Sequence, residues 1–185
     1  VDAIVAASNL IMSFQTIVSR NTNPLHSTVI TIGKIEGGHG FNIIADEVKM
    51  RGTVRTMTKE NRLMVKTRMR EIIDGVAKST GAIIEMDYQG GYPPTVNDGN
   101  ATQVVRKVAH KIVGDSVVEP YLTMGAEDFS YYLQKIPGCF FFIGSAQSDK
   151  ELMSVPHHCS HFDIDERALL VGTSVCVKLI FDRIN

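Results

Sequence analysis

The sequence predicts a mixed α/β protein: a two-layer helix-on-sheet unit of α+β type, close to the ferredoxin-like plan, in its first half, and an α/β arrangement in its second. Three observations carry this expectation. Periodic patterns over residues 1–88 run in the order α-β-β-α-β, "QGGYPPTVNDG" at 89–99 is dense in turn-forming residues, and the apolar run "CFFFIG" at 139–144 lies between helical patterns.

From Ile4 to Val18 the apolar residues Ile4, Val5, Ala7, Leu10, Ile11, Phe14 and Val18 recur at spacings of three and four, which predicts an amphipathic helix. "STVITIGKI" (27–35) alternates Val29, Thr31, Gly33, Ile35 against Thr28, Ile30, Ile32, Lys34, and "EVKMRGTVRTM" (47–57) alternates in the same way. With the "GGHG" turn between them, the two predict a long hairpin. Thr58 is placed to cap a helix running to about Lys78, with Asn61 where a capping box would carry Glu or Gln. After Gly81, "AIIEMDY" predicts a third strand. Two helices on one face of an antiparallel sheet resemble the β-α-β-β-α-β plan without its first strand, which lies in the sheet interior.

Residues 89–99 predict a linker. Beyond it the patterns predict helices from about Ala101 to Val113, Glu127 to Gln134 and Glu166 to Asp182, an apolar stretch at 117–124, and a buried strand at 139–144. A continuous apolar strand between helices is the signature of an interior strand in a covered sheet.

The 185 residues are 44% hydrophobic, enough for one domain or two small ones, and the net charge of −1 speaks against a nucleic-acid or anionic-membrane surface. No apolar run reaches the roughly 20 residues that span a bilayer. Cys139, Cys159 and Cys176 are odd in number and have no CxxC spacing, so a reducing, cytoplasmic setting is expected. The chain opens on Val1 and enters a helical pattern at once, from which we expect a piece of a longer polypeptide.

Several residue types suggest chemistry. "VPHHCSHFDIDER" (155–167) gathers His157, His158, Cys159, His161, Asp163, Asp165 and Glu166. Metal donors must converge at roughly 2.0–2.3 Å, whereas one extended stretch sends successive side chains to opposite faces. One or two of the seven can therefore hold a given ion, and the other ligands must come from elsewhere; a solvated or capping role is the alternative for each. In "MGAEDF" (124–129), Glu127 and Asp128 stand at a helix start, where Asp128 is expected to cap free amides. The alternative is that the Gly125–Ala126 backbone approaches an anionic substrate. Asn42 and Arg55 lie on neighbouring hairpin arms, where a guanidinium fork could grip a carboxylate; an exposed strand Arg is the plainer reading. His26 and His39 read as turn or surface residues.

Five segments in order, "GGHGFNIIADEVKMRGTVRT", "GYPPTVND", "MGAEDFSYYL", "PGCFFFIG" and "HHCSHFDIDERAL", resemble the zinc-type aminoacylase/carboxypeptidase family. They are nearest its branch of hippurate hydrolases, N-acetyl-diaminopimelate deacetylases and indole-acetyl-amino-acid hydrolases. The resemblance implies an enzyme whose α/β catalytic domain carries two divalent metal ions (Zn, or Mn, Co or Ni) and whose inserted lid or dimerisation domain is ferredoxin-like. Residues 1–90 would be the lid without its first strand, and 91–185 the C-terminal portion of the catalytic domain.

By the same resemblance, the "H-x-x-x-F-D-x-D-E" pattern makes His158 a metal ligand, while His157, Cys159 and His161 match none. Asp163, Asp165 and Glu166 would hold the strand-to-helix corner. Asn42 and Arg55 match residues that hold the substrate carboxylate, and Gly125, Ala126 and Glu127 a substrate-facing loop. No catalytic residue is expected in this chain, since the other ligands and the general-base Glu belong to family motifs it lacks. Ala45 departs from the Pro many relatives carry, and His39 matches no fixed role.

The expected substrate is an N-acyl amino acid or short peptide, the expected assembly a homodimer through the lid, and no nucleic-acid or membrane partner is expected. The chain alone is expected to be inactive and to hold at most part of the metal centre. The competing expectation is a non-catalytic dimerisation or binding module that keeps the carboxylate clamp.

Overall fold

Asp2 starts the first helix, α1 (Ala3–Thr16), by accepting from the amides of Ile4 and Val5 at 3.0 and 3.2 Å. In this computed structural model, which describes residues 1–119, 122–146 and 158–184, α1 widens at its end into a π-helical turn, Ile17–Asn21. The Ile17 carbonyl accepts from both the amide and the hydroxyl of Thr22, at 3.0 and 3.1 Å, which stops the helix there.

Strands β1 (Thr28–Gly37) and β2 (Val48–Thr56) form the expected antiparallel hairpin, from Thr28 opposite Thr56 to Gly37 opposite Val48. The register slips at Gly33, where a bulge separates the pair Ile32–Gly52 from the pair Lys34–Arg51. The alternating burial read along residues 27–35 therefore ends at Gly33: Thr28 and Ile30 are buried and Ile32 half-buried, but Lys34, next on the same face in that reading, is exposed. A side chain at Gly52 would collide with the Thr31 carbonyl, so only glycine fits opposite the bulge.

Helix α2 (Lys59–Thr80) begins at Thr58, whose hydroxyl accepts from the Asn61 amide at 3.1 Å. The Asn61 side chain turns inward instead of returning to the cap and donates to the buried Thr28 hydroxyl at 2.5 Å. Gly81, at φ +72°, ends the helix in the left-handed conformation that glycine adopts freely. Leu10, Phe14 and Ile17 from the first helix and its wide turn, Ile30 from β1, and Val65, Met69, Ile73 and Val76 from α2 make one core.

The expected third strand is not formed. Residues 82–88 alternate as predicted, with Ile84, Met86 and Tyr88 half-buried against that core and Ile83, Glu85 and Asp87 exposed, but the sheet holds β1 and β2 alone. The physical reason is topological. If the absent first strand of the plan is interior and the hairpin strands are adjacent, that first strand is the only neighbour the last strand has.

The chain divides into two compact units, Val1–Pro94 with Met124–Glu127, and Thr95–Thr123 with Asp128–Asn185. In the second, α3 (Gly99–Val113) is capped by Asp98, which accepts from the Ala101 amide at 2.8 Å. A 3-10 turn (Gly114–Ser116), the short helix α4 (Phe129–Leu133) and the closing helix α5 (Arg167–Ile184) follow. Helices α3 and α5 pack together, with Val108 and Val175 buried and Asp182 accepting from Lys111 and Lys178 at 3.2 and 3.1 Å.

Two expectations are corrected here. The strand read at 139–144 has no ladder partner among the described residues, because an apolar run secures burial but neighbouring strands must supply the rungs. The helix expected from Glu127 shrinks to five residues, and Asp128 makes no capping bond. No helix among the described residues is long and apolar enough to cross a membrane.

Candidate functional site

The hairpin and the 124–127 segment, all in the first unit, meet through Arg55. Its guanidinium donates to the Met124 carbonyl at 2.5 Å, so a basic side chain one residue from the end of β2 touches the residue that opens "MGAE". Gly125, Ala126 and Glu127 follow directly, and Glu127 and Gly125 have interactions of their own. Arg55 stands in register with Val29 at the open end of the hairpin.

Asn42 is not brought to this place. It lies in the loop that closes the hairpin, and the Ala3 amide bonds the Ala45 carbonyl at 3.1 Å, which ties that loop to the start of α1. From Val48 to Arg55 the strand covers about 23 Å at roughly 3.3 Å per residue. One small carboxylate cannot span that length, so within a single chain the two residues do not form a joint grip.

His158 belongs to the second unit and has φ +65°, the one non-glycine residue with positive φ among those described. Left-handed backbone costs an ordinary residue on the order of 1–2 kcal/mol, though histidine visits it more readily than most. The turn it opens is closed by the Phe162 amide on the Cys159 carbonyl at 3.1 Å, and the His161 amide approaches Cys159 Sγ at 3.5 Å. His157 lies outside the described residues.

Asp165 pins the corner into α5. Its amide donates to the Ser145 carbonyl at 2.8 Å, and its carboxylate accepts from the Arg167 amide at 3.0 Å and from Arg167 Nε at 2.9 Å, with Nη2 also in contact. The Asp163 carboxylate accepts from the Ile164 amide at 2.8 Å. The Arg167 side chain first, then its backbone amide, holds the Asp165 carboxyl down at about 2. Because the folded value is depressed, the stabilisation is fully present above the ordinary carboxylate value of 3.8 and disappears as pH falls through about 2. Carbon-detected NMR of the Asp165 carboxyl should give a midpoint near 2 that returns towards 3.8 in Arg167→Ala; an unaltered midpoint in the variant would refute the pairing.

The described residues do not assemble a metal centre: no three His, Cys, Asp or Glu side chains among them come close enough to hold an ion together. His158 offers one imidazole, whereas a divalent ion takes about four donors. The described residues therefore do not fit a dinuclear site by themselves.

Two contributions escaped the sequence. The Met124 carbonyl acts through the backbone, so no residue type marks it. Asn97, read as part of a linker, clamps the 139–144 segment: its Nδ2 donates to the Phe140 carbonyl and its Oδ1 accepts from the Phe140 amide, both at 2.8 Å. The adjacent Asp98 amide bonds the Gly138 carbonyl at 2.9 Å. The available signal was "ND" directly before a helical pattern.

A sequence profile for peptidase family M20/M25/M40 matches residues 4–182. The chain belongs to this family. Among the relatives of this M20 chain, N-acetyl-L-cysteine deacetylase of Bacillus subtilis (strain 168) is 41% identical over 169 residues, covering 91% of this chain and 39% of the relative. IAA-amino acid hydrolase ILR1-like 4 of Arabidopsis thaliana is 37% identical over 95% of this chain and 41% of its own length. N-acetyldiaminopimelate deacetylase of Lactobacillus acidophilus is 34% identical over 100% of this chain and 47% of its own length.

Among solved structures, the YXEP protein of Bacillus subtilis, described as a dinuclear metal-binding peptidase of the M20 family, superposes with a TM-score of 0.77 at 30% identity, covering 97% of this chain and 45% of that one. A proposed aminohydrolase of methicillin-resistant Staphylococcus aureus gives a TM-score of 0.86 at 31% identity, over 100% of this chain and 47% of the other. The M20 chain thus spans somewhat under half the length of these relatives, and its α/β character agrees with theirs.

Proposed function

We propose that this chain is the C-terminal portion of a metal-dependent amidohydrolase that cleaves the amide bond of an N-acyl amino acid or short peptide. Support comes from the family match together with relatives that act on acylated amino acids. The observation that carries the reading is the placement of Arg55 beside the 124–127 segment, since this substrate class ends in a free carboxylate and a guanidinium fork binds that group with both its arms.

In this reading residues 1–90 are the lid, and 91–185 belong to the catalytic domain. Arg55 takes the carboxylate, and Gly125, Ala126 and Glu127 face the substrate. His158 contributes one ligand to a pair of divalent ions whose remaining ligands, and the general base, are supplied by polypeptide outside residues 1–185. Asn42 serves the substrate from the hairpin tip, apart from Arg55.

The chain alone is expected to leave hippurate-type substrates intact in the presence of Zn²⁺, Mn²⁺ or Co²⁺, and to gain activity when the rest of the parent polypeptide is added. Turnover by the chain alone at ordinary enzyme rates, about 1–10³ s⁻¹, would overturn this assignment. The lid is also the proposed dimer surface, through the outer face of α1, where Ile4, Val5 and Met12 are exposed. Gel filtration should show a dimer that Met12→Glu dissociates; a monomer at high concentration counts against it.

A further inference from the structure

The bulge at Gly33 decides which face of the hairpin Lys34 occupies. In a regular strand Lys34 would follow Thr28, Ile30 and Ile32 toward the core; the slip instead sets it opposite Arg51, on the outer face. Thr31, Lys34 and Glu36 of β1 and Lys49, Arg51 and Thr53 of β2 share that face, and all six are exposed. Most of the charges there have partners. Lys34 Nζ lies 2.9 Å from the Glu36 carboxylate, Lys49 Nζ lies 3.3 Å from that of Glu47, and Arg55 holds the Met124 carbonyl. Arg51 has no hydrogen-bond or ion-pair partner among the described residues. Yet a lysine faces it across the strand pair, where opposed side chains stand about 5 Å apart at Cβ and like charges repel. Solvation accounts for one exposed arginine, but not for a bulge that turns a second cation toward it.

We propose that Arg51, with Lys34 opposite it, is a second anion subsite in line with Arg55, and that it selects N-acyl amino acids whose acyl group itself ends in a carboxylate. An anion seated between the two cations turns their mutual repulsion into two charge-assisted contacts, and the guanidinium fork fixes its orientation. Bulges commonly re-aim a side chain beside a working site, and this one is held in place by Gly52, where no side chain fits.

Spacing along β2 defines the ligand, given the proposed grip of Arg55 on the α-carboxylate, on which this subsite depends. Arg51 and Arg55 lie on one face of the strand, about 13 Å apart at roughly 3.3 Å per residue. The two carboxylates of an aspartate- or glutamate-like amino acid branch from one short chain and cannot reach both arginines. An acyl arm instead leads away from the α-carboxylate through the amide, and a glutaryl-type arm closes the gap once the two long side chains lean toward each other. Thr53, exposed between the arginines on the same face, offers its hydroxyl to the amide in the middle of such a ligand. Arg51 also stands between Arg55 and the hairpin tip that carries Asn42.

The test uses N-glutarylalanine and its terminal carboxamide, which match in length and differ by one charge. In the chain as it stands, the arginine Nε–Hε signals of both Arg51 and Arg55 should shift when N-glutarylalanine is titrated in, and with the carboxamide only that of Arg55 should move. The dissociation constants should favour the dicarboxylate by about tenfold, the contribution of one charge-assisted hydrogen bond. Arg51→Gln should bring this ratio to about one, Lys34→Gln should lower it in part, and Arg51→Lys should recover part of it. Both glutamine variants lie on the exposed face and relieve a repulsion, so they keep the fold. Arg70→Gln, exposed on α2, removes the same charge elsewhere and should retain the ratio. An unmoved Arg51 signal while Arg55 responds overturns the subsite and leaves the Arg55 grip standing. Response of neither arginine overturns both, and response of Arg51 alone breaks the alignment with the α-carboxylate and overturns the substrate assignment. Equal loss of the ratio in Arg51→Gln and Arg70→Gln assigns the preference to net charge and likewise overturns the subsite.

Discussion

Arg55→Ala in the full-length parent is expected to weaken substrate binding by about 2–5 kcal/mol, the range for removing one partner of a desolvated charge pair. At present the Arg55 guanidinium donates to a neutral carbonyl, that of Met124, at 2.5 Å. A substrate carboxylate competes for the same donors with charge-assisted bonds roughly twice as strong, so capture of substrate displaces this contact. The loss should fall mainly on KM, because the carboxylate is bound alike in the ground state and the transition state. Arg55→Lys keeps the charge but loses the two-pronged geometry, and should recover only part of the loss. Steady-state kinetics on an N-acyl amino acid decides the matter; KM and kcat unchanged in the alanine variant would remove Arg55 from the site.

Ile17→Ala is expected to destabilise the first unit by about 2–5 kcal/mol, the cost of excavating a fully buried aliphatic side chain. Ile17 is 0% exposed and belongs to the central cluster with Leu10, Phe14 and Val65. It sits at the first position of the π-helical turn, where the backbone widens and its carbonyl carries two bonds from Thr22, so the surrounding chain is poorly placed to collapse into the cavity. Against a total stability of about 5–15 kcal/mol, such a loss is large. Met12→Ala on the same helix, 70% exposed, should change stability by no more than about 0.5 kcal/mol. Urea denaturation of the two variants side by side measures the contrast, and a loss below about 1 kcal/mol for Ile17→Ala would show that the wide turn is not part of the core.

Much of the first unit was legible because its signals are local. Spacings of three and four marked α1 and α2, alternation marked the hairpin, and Thr58 and Gly81 bounded α2 as their chemistry requires. The bulge was not legible, since Gly33 fits a regular strand as well as a slipped one until its partner Gly52 is known. Residues 82–88 and 139–144 show the limit of periodicity: it reports which side chains are buried, while strand identity depends on which other backbone lies alongside. Of the candidate site, the residue types were visible but their grouping was not. The Arg55 contact spans 69 positions and ends on a carbonyl, Asn42 and Arg55 looked close because they share a hairpin, and Asn97 looked like linker. The family resemblance came from ordered motifs and agrees with the profile match over 4–182.

The backbone at position 158 has a consequence for how such a chain can drift. A left-handed residue is most comfortable as glycine, then asparagine, and an imidazole there is tolerated against conformational preference. Backbone preference alone therefore favours glycine or asparagine over histidine in this turn, and His158→Gly is the substitution the backbone accepts most easily.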